Sequence, residues 1–108
     1  MGWLIVMFDL PTDTKAERGL AAKFRNNLLD DGYLMLQYSV YVRSAVTLDK
    51  REKYVSSLKR MNPETGSVKC LFITDTQWGQ IETFAGKRSN VLRSVDKQPN
   101  IYEQLQFW

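Results

Sequence analysis

A chain of 108 residues is long enough for one domain with a real core and too short for two. A composition that is 44% hydrophobic and 12% aromatic belongs to a folded globular protein and excludes a disordered one. The formal net charge of +3 leans toward anionic partners, and the absence of histidine removes His-based general-base triads and most zinc sites.

The first element is the apolar run Leu4 to Phe8, which has strand character and leaves no polar face for solvent. It ends in a single carboxylate, Asp9, at the carboxyl end of the strand, where α/β architectures tend to place their chemistry. From this segment alone the plainer role for Asp9 is a turn or cap acceptor. Pro11 fixes the turn, and Thr14-Lys15-Ala16-Glu17 is a capping box that opens a helix over residues 15–29. Leu20, Ala21, Phe24 and Leu28 form the core stripe of that helix, with Lys15, Arg18 and Arg25 on roughly the opposite face. Asp30-Asp31-Gly32 ends it, Gly32 being suited to a left-handed cap.

Residues 33–43 form an aromatic and β-branched run longer than a usual strand, so a bend or bulge near Gln37-Tyr38 splits it in two. Past that point Ser39, Tyr41 and Arg43 share one face by alternation. A second helix runs from Leu48 to about Met61, capped by Thr47 and stopped by Asn62-Pro63. Tyr54, Val55, Leu58 and Met61 are its apolar side, while Lys50, Arg51, Lys53, Lys59 and Arg60 make it basic elsewhere. Gly66 to Thr74 returns to strand, and Asp75 to Gln80 is a turn or short helix. Ile81 to Ala85 is a short strand, followed by the basic loop Gly86-Lys87-Arg88-Ser89-Asn90. A linker at residues 97–100 leads to Ile101–Trp108, an apolar terminal strand that needs a sheet edge to pair with, its own or another subunit's.

The order strand, helix, split strand, helix, strand is the β-α-β-β-α-β plan of an α+β ferredoxin-like sandwich. The expected organisation is a ferredoxin-like domain over residues 1–86 and a C-terminal extension over 87–108 that pairs in a dimer or with a partner. The lone cysteine, Cys70, lies in an apolar run and reads as a small buried hydrophobe in a reducing, cytoplasmic compartment. No segment approaches the roughly 18 apolar residues of a membrane helix, and no signal-peptide pattern opens the chain, so no membrane partner is expected.

Phe8-Asp9-Leu10-Pro11, the arginine-bearing first helix and Gln37-Tyr38-Ser39-Val40-Tyr41 together resemble the small CRISPR-associated protein of the spacer-acquisition complex. Gly66-Ser67-Val68, leading into Ile73-Thr74-Asp75-Thr76-Gln77-Trp78, is similar to members that accompany type II systems. The resemblance covers about residues 3 to 86. That family is described as a metal-dependent endoribonuclease, and the resemblance implies a homodimer with the strand-end aspartates facing each other across the two-fold axis. It makes Asp9 the catalytic residue and metal ligand, with one Mg²⁺ shared between two protomers. It implies that Arg18 and Arg25 contact phosphate oxygens, that Ser39 hydrogen-bonds substrate or a metal-bound water, and that Tyr41 stacks or packs. Lys87 and Arg88 join these as nucleic-acid contacts. A second role implied by the resemblance needs no Asp9 chemistry. There the dimer is an architectural scaffold that holds double-stranded DNA and bridges a CRISPR-associated integrase, rather than cutting single-stranded RNA.

Overall fold

The computed structural model describes residues 1–84 of the chain. Four strands and three helices follow one another as β1 (Gly2–Asp9), α1 (Lys15–Asp30), β2 (Leu34–Gln37), β3 (Val40–Val46), α2 (Leu48–Met61), β4 (Ser67–Thr74) and α3 (Asp75–Gly79). The strands form one antiparallel sheet in the order β2-β3-β1-β4, the ferredoxin-like arrangement expected from the element order. The linker at residues 97–100, the terminal strand Ile101–Trp108, and Lys87 and Arg88 lie outside the described residues.

Local chemistry explains the starts and stops. The Thr14 hydroxyl accepts from the Glu17 amide at 3.1 Å and the Glu17 carboxylate accepts from the Thr14 amide at 2.8 Å, so the capping box forms as read. Gly32, at φ 103°, supplies the left-handed residue after α1. A second capping box, Thr74 with Gln77, opens α3, settling residues 75–79 as helix. Thr47 stands at the N-cap of α2 without a side-chain cap bond. The long apolar run divides as expected, but as a hairpin: β2 and β3 join through a two-residue turn at Tyr38-Ser39, beside a register shift between Met35 and Gln37.

Alternation along β1 sends Leu4, Val6 and Phe8 to one face of the sheet and Trp3, Ile5 and Met7 to the other. The first face carries the main core, with Ala21, Phe24 and Leu28 of α1 and Leu58 of α2 buried over the sheet. Phe8 and Phe24 meet edge to face at 5.0 Å. Leu20 departs from its expected place in the α1 stripe: it is exposed, and the buried line of α1 is Ala21, Phe24 and Leu28 alone. On the second face Trp3 stacks on Trp78 of α3 at 3.8 Å, with Val42, Ile5, Leu36 and Ile73 around them.

Among the described residues nothing closes the rest of that second face. Met7, Leu34 and Leu71 are 39%, 38% and 51% exposed, so the run Leu4–Phe8 is closed on one side only, contrary to its purely apolar sequence. The expected strand at Ile81–Ala85 is also corrected: residues 81–84 carry no strand, because they leave α3 through an Ile81 amide bond to the Trp78 carbonyl with no described strand beside them.

Arg43 of β3 holds three elements together on the helix-covered face. Its guanidinium lies 4.6 Å from the Tyr33 ring centroid and 4.3 Å from that of Tyr54, and it donates to the Asp31 carboxylate at 3.2 Å and to the Asp31 carbonyl. Burial raises the Tyr33 and Tyr41 phenols above their ordinary pKa of 10.0, opposed by Arg43 at Tyr33 and by Arg25 at Tyr41. Both phenols are therefore neutral in the fold at a pH where the unfolded chain ionises. Stability from them is complete below the ordinary value and is lost as pH rises through the raised folded values. An alkaline unfolding titration should show a decline beginning near pH 10 that Tyr33→Phe makes shallower, the remaining part coming from Tyr41.

Candidate nucleic-acid interface

Asp9 is the last residue of β1 and is exposed. By alternation it belongs to the open face, in line with Met7, at the rim of the uncovered apolar surface. Two neighbours hold its backbone. Across β4 it pairs with Ser67, and on the other side the Phe8 amide donates to the Ser39 carbonyl at 3.1 Å. The hairpin turn is thereby drawn beside the end of β1, and Asp9 and Ser39 become neighbours although 30 positions separate them in the chain.

Ser39 has φ 63°, the left-handed conformation a tight turn requires, rather than a place in the strand. The expected shared face of Ser39, Tyr41 and Arg43 is thus corrected to Tyr41 and Arg43 alone, which pair opposite Val6 and Leu4 on the helix-covered side. Tyr41 is 3% exposed with its ring 5.6 Å from that of Phe8, so within the protomer it packs and offers no ring face to a base. Arg25 is half-buried on α1 and near enough to the Tyr41 hydroxyl for its charge to act there. Arg18 folds back on the loop after Asp9, its Nη1 donating to the Thr12 and Asp13 carbonyls at 3.1 Å each, while the residue remains exposed. That cation sets the shape of the segment linking Asp9 to α1.

Gly66 was not recognised as a site residue by sequence reasoning. It sits at φ 67°, and a Cβ there would overlap the Asp9 carbonyl oxygen and stand 3.0 Å from the Leu10 Cα. Close approach of the start of β4 to Asp9 therefore depends on a residue without a side chain. Its signal in the sequence is a glycine directly before a strand, which is also the signal of an ordinary turn. Gly66→Ala should destabilise the fold by about 2 kcal/mol and displace the Asp9 backbone. Gly19→Ala, with nothing within 4 Å of the added Cβ, should instead gain up to about 1 kcal/mol. Urea titration of both variants checks the contrast.

The oxygen donor at this rim, an exposed carboxylate with room for waters, suits a hard divalent cation. Among the described residues no group of three or more His, Cys, Asp or Glu side chains comes together, so the described part of one protomer offers no complete ligand cluster around Asp9. Exposed cations flank this rim as Arg18 and as Lys69, which pairs opposite Met7, and run along α2 as Lys50, Arg51, Lys53, Lys59 and Arg60. No described helix is long and apolar enough to cross a membrane.

Comparison with known proteins gives consistent results. The family model described as CRISPR associated protein Cas2 matches residues 1–81. The protein named CRISPR-associated endoribonuclease Cas2 from Parvibaculum lavamentivorans is 45% identical over 86 residues, covering 80% of this chain and 85% of its own length. Its namesake from Flavobacterium psychrophilum is 42% identical over 86 residues, covering 80% and 75% of the two chains. The crystal structure of Streptococcus pyogenes Cas2 at pH 6.5 is similar with a TM-score of 0.58, over 77% of this chain and 99% of that one. At 22% sequence identity that likeness concerns the fold alone.

Proposed function

We propose, from the premise that this chain belongs to the CRISPR-associated Cas2 family, that it is a cytoplasmic, homodimeric, metal-dependent endoribonuclease with Asp9 at its centre. The observation that carries this reading is the position of Asp9, exposed at the end of β1 on the rim of an open apolar sheet face. Met7, Leu34 and Leu71 on that face gain by being covered, and a second copy of the same face supplies a self-complementary cover. Two protomers joined there bring two Asp9 carboxylates toward one axis.

One carboxylate is a weak Mg²⁺ site, and two carboxylates with a substrate phosphate are a workable one. When bound, Mg²⁺ supplies a polarised phosphoryl group and a water acidic enough to act as nucleophile near neutral pH. The chain's own residues do the rest. Asp9 presents its carboxylate from the end of a paired strand, so little reorganisation is needed. Ser39, held beside it by the Phe8 amide, directs its hydroxyl to substrate or a bound water. Arg18 keeps the loop after Asp9 in shape, and Arg25 offers a guanidinium to a phosphate oxygen. Lys87 and Arg88 extend the phosphate contacts from the segment beyond residue 86.

The exposed cations of α2 favour a second reading as well, in which the dimer holds double-stranded DNA and bridges a CRISPR-associated integrase during spacer acquisition. In that role the extension 87–108 is a separate docking unit, adding its terminal strand to the partner protomer or to the integrase. Incubation of labelled single-stranded RNA and duplex DNA with Mg²⁺ or chelator tests both readings, with light scattering to establish the dimer. Metal-dependent cutting of RNA supports the enzyme. Duplex binding that falls steeply with salt, without cutting, supports the scaffold.

A further inference from the structure

Tyr38 is 80% exposed, although it lies in a hairpin whose other tyrosines, Tyr33 and Tyr41, are buried. It occupies the first position of the two-residue turn between β2 and β3, and the next residue, Ser39, is bonded through its carbonyl to the Phe8 amide. The ring is therefore carried on a turn anchored to the end of β1, one residue before Asp9. An exposed aromatic ring beside a strand-end carboxylate offers an unpaired base a surface to stack on next to the point where the backbone is proposed to be cut.

We infer that Tyr38 is a stacking platform for one unpaired base of a single-stranded nucleic acid whose backbone runs past Asp9, and that this contact selects single strands over duplexes. The inference deepens the proposed nuclease reading and rests on it for the passage of the backbone past Asp9. An unpaired base has a free π-face, whereas the base faces of a duplex are already occupied by their neighbours. The ring is the working part, so its hydroxyl is dispensable and a larger ring serves as well. Stacking is blind to the sugar, so single-stranded RNA and single-stranded DNA of one sequence both use it.

The test is equilibrium binding of a short labelled single-stranded RNA, its DNA counterpart and the matching duplex, with Ca²⁺ in place of Mg²⁺. Tyr38→Ala should weaken both single strands about tenfold, with Tyr38→Phe and Tyr38→Trp within about twofold of wild type and the duplex unaffected. An abasic position moved along the RNA should cost wild type a similar factor at one register and cost Tyr38→Ala nothing more there. The inference is overturned if wild type binds no single strand, if Tyr38→Ala binds as wild type, or if Tyr38→Phe loses as much as Tyr38→Ala. Loss of the dimer in Tyr38→Ala by light scattering also overturns it, since the ring would then be part of the contact between copies. Abasic-sensitive binding in a protein that never cuts leaves this inference standing and removes only the catalytic reading. Cutting that depends on Asp9, with Tyr38→Ala binding unchanged, does the reverse.

Discussion

Replacing Asp9 with asparagine should reduce Mg²⁺-dependent cleavage of single-stranded RNA by about a hundredfold to a thousandfold, while leaving the fold and the dimer intact. The size follows from what the carboxylate supplies. A bound divalent ion contributes several kcal/mol of transition-state stabilisation, and each 1.36 kcal/mol is about a factor of ten in rate. Asparagine keeps the shape and one oxygen but loses the charge that the proposed mechanism uses to hold the ion. Asp9 is exposed at the end of its strand, and its backbone bonds to β4 are unchanged by the substitution. Thermal stability should therefore stay within about 0.5 kcal/mol of wild type, the usual range for a surface change. Cleavage measured over a range of Mg²⁺ concentrations separates two failures. Activity recovered at high Mg²⁺ means weakened ion binding, and activity absent throughout means the carboxylate is needed in the chemistry itself. Full activity in the asparagine variant with chelator present would remove Asp9 and the metal together from the proposed mechanism.

The largest effect on stability is expected from Trp78→Ala. Trp78 is 2% exposed and stacks on Trp3, itself 1% exposed, at 3.8 Å and 10° between planes. Truncating a buried tryptophan costs about 3–5 kcal/mol through lost transfer energy and the cavity left behind. For a domain of this size each kcal/mol is worth about 4 °C or more, so the melting temperature should fall by more than about 12 °C. Among the described residues the cluster on this side of the sheet adds Val42, Ile5, Leu36 and Ile73 to the two indoles. Loss of α3 would then widen the open surface and raise the tendency to associate. Near-ultraviolet circular dichroism provides a specific readout, since two indoles stacked at this distance give a coupled signal that either alanine variant abolishes. Trp78→Phe, which keeps an aromatic plane against Trp3, should retain most of the stability. A Trp78→Ala protein as stable as wild type would mean that α3 contributes nothing to closing the sheet.

Much of this architecture is written in short stretches of chain. Thr14-x-x-Glu17 names the start of α1 because its partners are three residues apart and meet wherever a helix begins there. Gly32 ends that helix and Asn62-Pro63 ends α2 for equally local reasons. Thr74-x-x-Gln77 carried the same information for α3. Asp9 was legible as the one carboxylate closing an apolar strand, and the order of short motifs around it pointed to the family that residues 1–81 match.

What the chain could not declare by itself is what stands opposite each residue. Alternation assigns Tyr41 and Met7 to opposite faces, and only the placement of α1 and α2 buries one and leaves the other 39% exposed. Ser39 reads as strand until the pairing of β2 with β3 turns it to φ 63° and the Phe8 amide draws it to Asp9. Gly66 reads as a turn residue until β4 is laid against the Asp9 carbonyl, where no side chain fits. The stacking of Trp3 on Trp78 joins residues at the two ends of the described fold. The starts and stops of α1 and the end of α2 follow from neighbours within about four residues, so sequence alone determined those, while the hairpin at Tyr38-Ser39 and the non-strand course of residues 81–84 did not show in it. Burial, the open face and the neighbours of Asp9 depend on contacts between elements distant in the chain, and only tertiary packing decided those.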